Sequence, residues 1–219
     1  MTLDISGKAT RDFDVIGRRG IVLVLCAPSG TGKTTLSKRL LKEFPRFSFS
    51  ISYTTRQPRK GEVHGKDYYF ISEEEFCEKR DAGYFAEWAE VHGKFYGTPK
   101  EATLDMLQQG NDIIFDIDVQ GASQLYGNLK QGCYVFLLPP SRDELEKRLR
   151  GRGTDDEQTI MNRIANAQKE LEQAHWFNAW IVNDNLDKAY DQLRSAYIAA
   201  TLSPQSSPDL VSYIMEDWS

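Results

Sequence analysis

The chain has 219 residues, 40% hydrophobic and 27% charged, a globular composition long enough for a sizeable core in one domain or two small ones. A formal net charge of -5 excludes broad, nonspecific nucleic-acid binding, which neutralises many phosphates, so any anionic ligand must be met by local clusters of cations. The longest apolar run, IVLVLCA at 21–27, is too short to span a bilayer, and Cys26, Cys77 and Cys133 are widely spaced; the expectation is a soluble, cytoplasmic protein without signal peptide, disulfide framework or zinc site.

In chain order, residues 1–19 lack periodicity and read as an N-terminal tail. The apolar run at 21–26 leads through a glycine-containing turn into TTLSKRLLKEF, whose Leu36, Leu40 and Leu41 share a helical face, so the order is strand, loop, helix. Residues 52–99 carry many aromatics with Gly and Pro and only short extended pieces, KDYYFI and GKFYGTP, which predicts an insertion with its own small sheet. Helical ATLDMLQQG precedes NDIIFDIDV at 111–119, a buried-strand pattern, and CYVFLLPP at 133–140 is another, followed by helical SRDELEKRLRGRG. A second insertion at 142–172 is helical: TDDE at 154–157 has capping-box spacing, and Ile160, Ile164, Ala167 and Leu171 mark one face. WIVND at 180–184 is a short strand before the helix of LDKAYDQLRSAYIAATL, and SPQSSPD at 203–209 reads as a linker to an amphipathic tail, LVSYIMEDW.

Strands alternating with helices predict an α/β fold with a central parallel sheet covered on both faces, its ligands bound beyond the carboxyl ends of the strands. The expected division is a core of 20–51, 100–141 and 173–202, insertions at 52–99 and 142–172 suited to a site that closes, and tails at 1–19 and 203–219.

Between the first strand and helix, APSGTGKT at 27–34 matches the pattern G-x-x-x-x-G-K-S/T in the context that gives the pattern meaning. Gly30 and Gly32 let backbone N–H groups turn inward around phosphate oxygens, and the helix starting near Lys33 aims its dipole at them. Lys33 supplies a mobile cation and Thr34 offers a hydroxyl to Mg2+. Ala27, Pro28, Ser29, Gly30, Thr31, Gly32, Lys33, Thr34 and Thr35 are thus the candidate site for a nucleoside triphosphate. Ala27 stands where the pattern has its first glycine, and a positive φ there would cost about 1 kcal/mol. Asp116 and Asp118, alternating on one face at the end of the IIFDID strand, are either carboxylates for Mg2+, direct or through water, or a strand edge turning polar. DVQG at 118–121 has the D-x-x-G form of a GTPase, but no N-K-x-D guanine-reading motif accompanies it, which argues against a switch GTPase.

TTRQPRKGEVHGKDYYF at 54–70 is a second stretch suited to anions. A short basic loop usually just faces water, but beside a phosphate loop it gains meaning. Arg56 and Arg59 would flank a phosphate, Pro58 stiffens the turn between them, and the hydroxyls of Tyr68 and Tyr96 add donors, so two phosphorylated ligands are expected. APSGTGKT and TTRQPRKGEVHGKDYYF together resemble the guanylate kinase family, and the resemblance runs from about residue 20 to about residue 201.

That resemblance implies a three-layer P-loop kinase fold with an inserted β-rich domain for the nucleoside monophosphate at 52–99 and a helical lid at 142–172. It implies transfer of the γ-phosphoryl group of ATP to GMP, with dGMP as a further acceptor, giving GDP and ADP without a covalent intermediate, a step in guanine nucleotide recycling and GTP supply. Mg2+ would enter with ATP, and Thr34 and Asp116 are its candidate contacts. By the resemblance the GMP phosphate falls to Arg56, Arg59, Tyr68 and Tyr96, and the base to Ser52, Glu87 and Thr98. Asp116 or Asp118 would also reach the guanine amino group, leaving the two aspartates shared between base and metal. Chemistry agrees for Glu87, because guanine shows adjacent N1–H and N2–H2 donors that one ionised carboxylate accepts together, whereas adenine presents an acceptor at N1.

Lys33 and the lid arginines Arg148, Arg152 and Arg163 would be the catalytic cations, while Arg150 in the same run suits the surface equally. Asn183 matches a family position near the adenine of ATP, although Asn at a strand end is often only a turn former. The partners implied are ATP and GMP, without nucleic acid or membrane, and with monomer and homodimer both open. Two rival readings are a noncatalytic module of the same fold that binds a phosphorylated peptide, and a kinase for another small phosphorylated acceptor. The intact GKT and lid arginines argue against the first, and Ser52, Glu87 and Thr98 against the second.

Overall fold

The computed structural model describes residues 17–48, 50–91, 93–151, 156–216 and 218. In the core, strand β1 (Val22–Cys26) is followed by helix α1 (Lys33–Glu43) and the short strand β2 (Phe47–Ser48). The segment that follows contains β3 (Tyr53–Thr54), β4 (Tyr69–Phe70), α2 (Glu73–Asp81), β5 (Phe85–Val91) and β6 (Lys94–Pro99). The chain then returns through α3 (Lys100–Gln108), β7 (Asp112–Asp116), α4 (Val119–Leu129) and β8 (Cys133–Leu138). Two helices, α5 (Arg142–Arg150) and α6 (Glu157–Glu172), precede β9 (Ala179–Val182), α7 (Leu186–Thr201) and α8 (Leu210–Met215).

The run at 21–26 is apolar at every position, so neither face of the strand it forms can be left in water, and β1 is buried throughout at the centre of a parallel sheet in the order β2-β7-β1-β8-β9. Alternation along β1 divides its side chains between two layers. Leu23 and Leu25 pack with Leu36 and Leu40 of α1 and with Leu193 and Tyr197 of α7. Val22, Val24 and Cys26 pack on the other face with Leu107 of α3, Leu125 and Leu129 of α4, and Phe177. The result is the three-layer α/β arrangement, helices covering both faces of the sheet.

A second, four-stranded sheet in the order β4-β3-β6-β5 carries residues of the 52–99 segment. Its own small core is aromatic: Phe76 of α2, fully buried, stacks on Phe85 at 4.5 Å and on Phe95 at 5.3 Å between ring centroids. Gly97 makes this closeness possible, since a Cβ there would lie 2.8 Å from Phe85 Cδ1. Leu145 and Leu149 of α5 form a third cluster with Ile160, Ile164 and Ala167 of α6. Leu171, expected on that same face, is 36% exposed instead and lies outside the buried cluster of α5 and α6.

Three further expectations change. The strand expected over 111–119 ends at Asp116, and Asp118 is the N-cap of α4, its carboxylate accepting the Gly121 N–H at 2.9 Å. Asp118 therefore does not share a strand face with Asp116. The N-cap of α6 is Asp156, which accepts the Thr159 N–H at 2.7 Å; Thr154 of the TDDE box lies outside the described residues. The stretch 203–209 is more than a linker, for it includes a short 3-10 turn at Pro204–Ser206 whose Ser206 is buried and accepts the Arg19 N–H at 2.8 Å through its carbonyl. Residues 17–19, counted with the tail, are likewise tied down. Arg18 grips the buried Asp112 through both nitrogens at 2.9 and 2.6 Å, and Tyr197 Oη and the Ile21 N–H donate to the same carboxylate at 2.7 and 2.9 Å.

Candidate active site

The phosphate loop leaves the carboxyl end of β1. Gly30 and Gly32 have φ of 93° and 100°, the left-handed region that glycine enters without penalty, and α1 begins directly at Lys33. Ala27 has no positive φ: among the described residues other than glycine only Lys130 does. The missing first glycine is therefore no source of strain, and the Ala27 methyl is buried in the core beside α1. Ala27→Gly should leave the KM for ATP within about twofold and lower unfolding stability by about 1 kcal/mol, measured by steady-state kinetics and urea denaturation. A clear fall in KM would show that the loop does want glycine there.

The loop is fixed from behind by Asn183, just past β9. Its buried amide donates to the Thr31 carbonyl at 2.7 Å, and a Cβ on Gly32 would meet Asn183 Nδ2 at 2.5 Å. The side chain expected near adenine is thus committed to the backbone of the loop. Lys33 Nζ reaches across to β7, 2.6 Å from Asp116 Oδ1 and 3.2 Å from the Ile117 carbonyl. Thr34 and Thr35 are exposed on the same first turn, Ser29 is exposed at the tip of the loop, and Pro28 is buried. Cys26, at the base, donates to the Asp118 carbonyl at 3.4 Å; burial pushes its thiol up to about 12, so it stays neutral and serves as core.

Between the two sheets lies a cleft of about 630 Å³ that brings together Lys33, Ser52, Tyr68, Glu87, Tyr96, Thr98, Asp116 and Asp118. Glu87 sits on β5 with its side chain turned inward, 8% exposed, and takes the Thr98 hydroxyl on Oε1 at 2.6 Å; Ser52 Oγ stands 3.4 Å from that hydroxyl. Its Oε2 receives no hydrogen bond from the described residues and lies 3.5 Å from where a Cβ on Gly121 would be. Burial raises the Glu87 pKa above the usual carboxylate range, the Thr98 hydrogen bond pulls it back, and the nearby Asp118 charge raises it further.

The arginine pair stands apart from the lining of this cleft. Arg56 is held by Glu62 through two hydrogen bonds of 2.9 Å each and lies with its guanidinium carbon 5.5 Å from the Tyr68 ring centre. Glu62 also accepts the Arg59 N–H at 2.6 Å, while the Arg59 side chain is exposed. Sequence reasoning assigned no role to Glu62, although its place in the turn six residues after Arg56 was a usable signal. Tyr68 and Tyr96 meet edge to face, 6.1 Å between centroids, so that both phenols border the cleft beside Arg56.

From the two helices of the 142–172 segment, Arg163 on α6 donates to Ser29 Oγ at 3.1 Å and so touches the phosphate loop. Arg148 on α5 is pinned by Glu144 at 2.9 Å and donates to the Asn183 carbonyl at 3.1 Å. Leu145 and Leu149 of α5 lie over Gly30, where a Cβ would approach the Leu149 side chain to 3.0 Å. Arg150 pairs with Glu146 and Glu157 and bridges α5 to α6 on the exposed side. Arg152 lies outside the described residues.

Fold and loop together define the class: a P-loop kinase. The guanylate kinase family model matches residues 19–200. Among curated relatives, the guanylate kinase of Oleidesulfovibrio alaskensis is 70% identical over 92% of this chain and 98% of its own, and that of Nitratidesulfovibrio vulgaris is 66% identical over 92% and 97%. The crystal structure of guanylate kinase from Anaplasma phagocytophilum has a TM-score of 0.68 at 29% identity, covering 92% of this chain and 96% of that one. The chain belongs to the guanylate kinase family.

Proposed function

We propose that the protein transfers the γ-phosphoryl group of ATP to the phosphate of GMP, releasing ADP and GDP, with the residues of the cleft and phosphate loop in the roles below. One observation supports the acceptor most directly: Glu87 is a buried carboxylate, braced by Thr98 on one oxygen, with its second oxygen left for a ligand. Guanine offers two adjacent donors to such a group, whereas adenine would set an acceptor against it and lose the hydrogen bond in a desolvated site. Ser52 and Thr98 orient the carboxylate, and Asp118 or Asp116 borders the same space.

The acceptor phosphate goes to Arg56, Arg59, Tyr68 and Tyr96, with Glu62 preorganising Arg56 so that little side-chain entropy is lost on binding. ATP phosphates lie in the loop of Ala27, Pro28, Ser29, Gly30, Thr31, Gly32, Lys33, Thr34 and Thr35, held in shape by Asn183. Thr34 and Asp116 present accessible, hard oxygen donors of the kind Mg2+ takes, and two protein donors suffice for an ion that is otherwise held by phosphates and water. The ion, when bound with ATP, neutralises charge on the phosphate oxygens. Lys33, Arg148, Arg152 and Arg163 add positive charge where it develops on the equatorial oxygens. No general base is required, since the attacking phosphate oxygen is already anionic. The 52–99 and 142–172 segments close over the reactants and exclude water as a competing acceptor.

The test is a coupled ADP-release assay with ATP and Mg2+ that offers GMP, dGMP, AMP, CMP and UMP separately. Turnover with GMP and dGMP far above the rest is expected. Equal turnover with AMP would sink the Glu87 argument, and no turnover with any acceptor would favour a binding module.

A further inference from the structure

Strand β5 is an edge strand of the second sheet, so the backbone groups that do not pair with β6, including those of Ala86 at a register shift between Phe85 and Glu87, face whatever lies beside the sheet. Beside it lies α4 of the core. Gln124 of α4 accepts the Trp88 N–H on Oε1 at 3.0 Å and donates from Nε2 to the Trp88 carbonyl at 2.9 Å, the two bonds a neighbouring strand would make. One turn further along, Asn128 Nδ2 donates to the Ala86 carbonyl at 2.8 Å. Between the two held residues is Glu87, whose backbone faces β6 and whose side chain faces the cleft. The same helix brings Gly121 against Glu87 Oε2, at a distance that a Cβ would reduce to 3.5 Å.

We infer that Gln124 and Asn128 are positioning residues for the acceptor base: they clamp β5 on either side of Glu87 and so fix the carboxylate relative to the core that carries the phosphate loop. The inference rests on Glu87 reading guanine. A carboxylate that must accept N1–H and N2–H2 together tolerates little displacement, and Thr98 alone constrains only one of its oxygens. The clamp controls recognition of the 2-amino group, so its loss blurs the distinction between GMP and inosine monophosphate, which lacks that group.

Steady-state kinetics with GMP and with inosine monophosphate test this on the full chain for Gln124→Met, Gln124→Glu, Glu87→Gln and the double variant Gln124→Met/Glu87→Gln. Methionine keeps the volume of Gln124 and removes both hydrogen bonds. The expected result is a KM for GMP about tenfold higher, a GMP preference about fivefold lower, and kcat and the KM for ATP within about twofold. Gln124→Glu, which keeps the acceptor for Trp88 N–H and loses the donor, should fall between. In the Glu87→Gln background the methionine should change the preference no further, because no carboxylate remains to be placed. Unchanged GMP preference in Gln124→Met, set against a collapsed preference in Glu87→Gln, overturns the clamp. So does a Gln124→Met enzyme in which kcat and both KM values worsen together, the mark of a merely structural contact. An intact preference in Glu87→Gln overturns the base reading and the clamp with it.

Discussion

Lys33→Met is expected to lower kcat for GMP phosphorylation by about 10³-fold, or about 4 kcal/mol of transition-state stabilisation, while unfolding stability stays within about 1 kcal/mol. The two halves of this result have separate physical causes. In the structure the ammonium lies 2.6 Å from Asp116 and on the Ile117 carbonyl, with the lysine and aspartate side chains 21% and 40% exposed. A pair this open is screened by water, and Asp116 rehydrates readily when its partner is removed, so the folded state loses little. Methionine also retains most of the apolar stem. In the proposed reacting complex the same ammonium would work in a closed site of low dielectric, where the loss of one cation among several is far more costly than in water. Quench-flow single turnover gives the chemical step and urea denaturation gives the stability. A kcat within tenfold of the parent enzyme would show that the arginines carry the charge without Lys33.

The parts of the molecule legible in the sequence are those set by local pattern. An unbroken apolar strand, two glycines at obligatory positive φ and GKT at a helix start specify β1, the loop and α1 with no help from the rest of the chain. Asp118 was misplaced because IIFDID alternates well enough to extend a strand, while the competing signal, an aspartate three residues before Gly121, is short; the cap bond to the Gly121 N–H wins once the chain leaves the sheet. Helix α2 went unread for a related reason. Only Phe76 among its residues is buried, so periodicity is silent, yet Ser72 and Glu75 have the spacing of an N-cap and its partner, and the Glu75 N–H does bond to Ser72 Oγ at 3.1 Å. The hold of Gln124 on Trp88 spans 36 positions and joins a core helix to an inserted sheet, so nothing local could announce it. Glu62 falls between these cases: its place in the turn six residues after Arg56 is a local signal, but the turn's fold decides that the two pair.

Glu87→Gln is expected to reduce kcat/KM for GMP by about 10³-fold, with kcat/KM for ATP at saturating GMP changed far less. Glutamine fits the same space and can still accept the Thr98 hydroxyl, so the pocket survives, but it offers guanine one acceptor and one donor where two donors must be met. Stability should move the other way. Because burial raises the Glu87 pKa, the folded chain holds that proton more tightly than the unfolded chain; the stability this contributes is complete below the unfolded-state pKa and disappears as pH rises through the folded-state value. At pH 8 the parent therefore carries a desolvated charge that Glu87→Gln lacks, and the variant should unfold at an equal or higher urea concentration. Under the proposed reading, in which guanine selects the ionised carboxylate, binding has the complementary dependence: the KM for GMP should climb about tenfold per pH unit on the acid side of the raised pKa. The ligand phosphate ionises in the same region, near pH 6, and contributes its own limb to both enzymes. The ratio of parent to variant KM cancels that limb and isolates Glu87. A ratio that stays flat from pH 5 to pH 8 would mean that the carboxylate does not accept from the base at all.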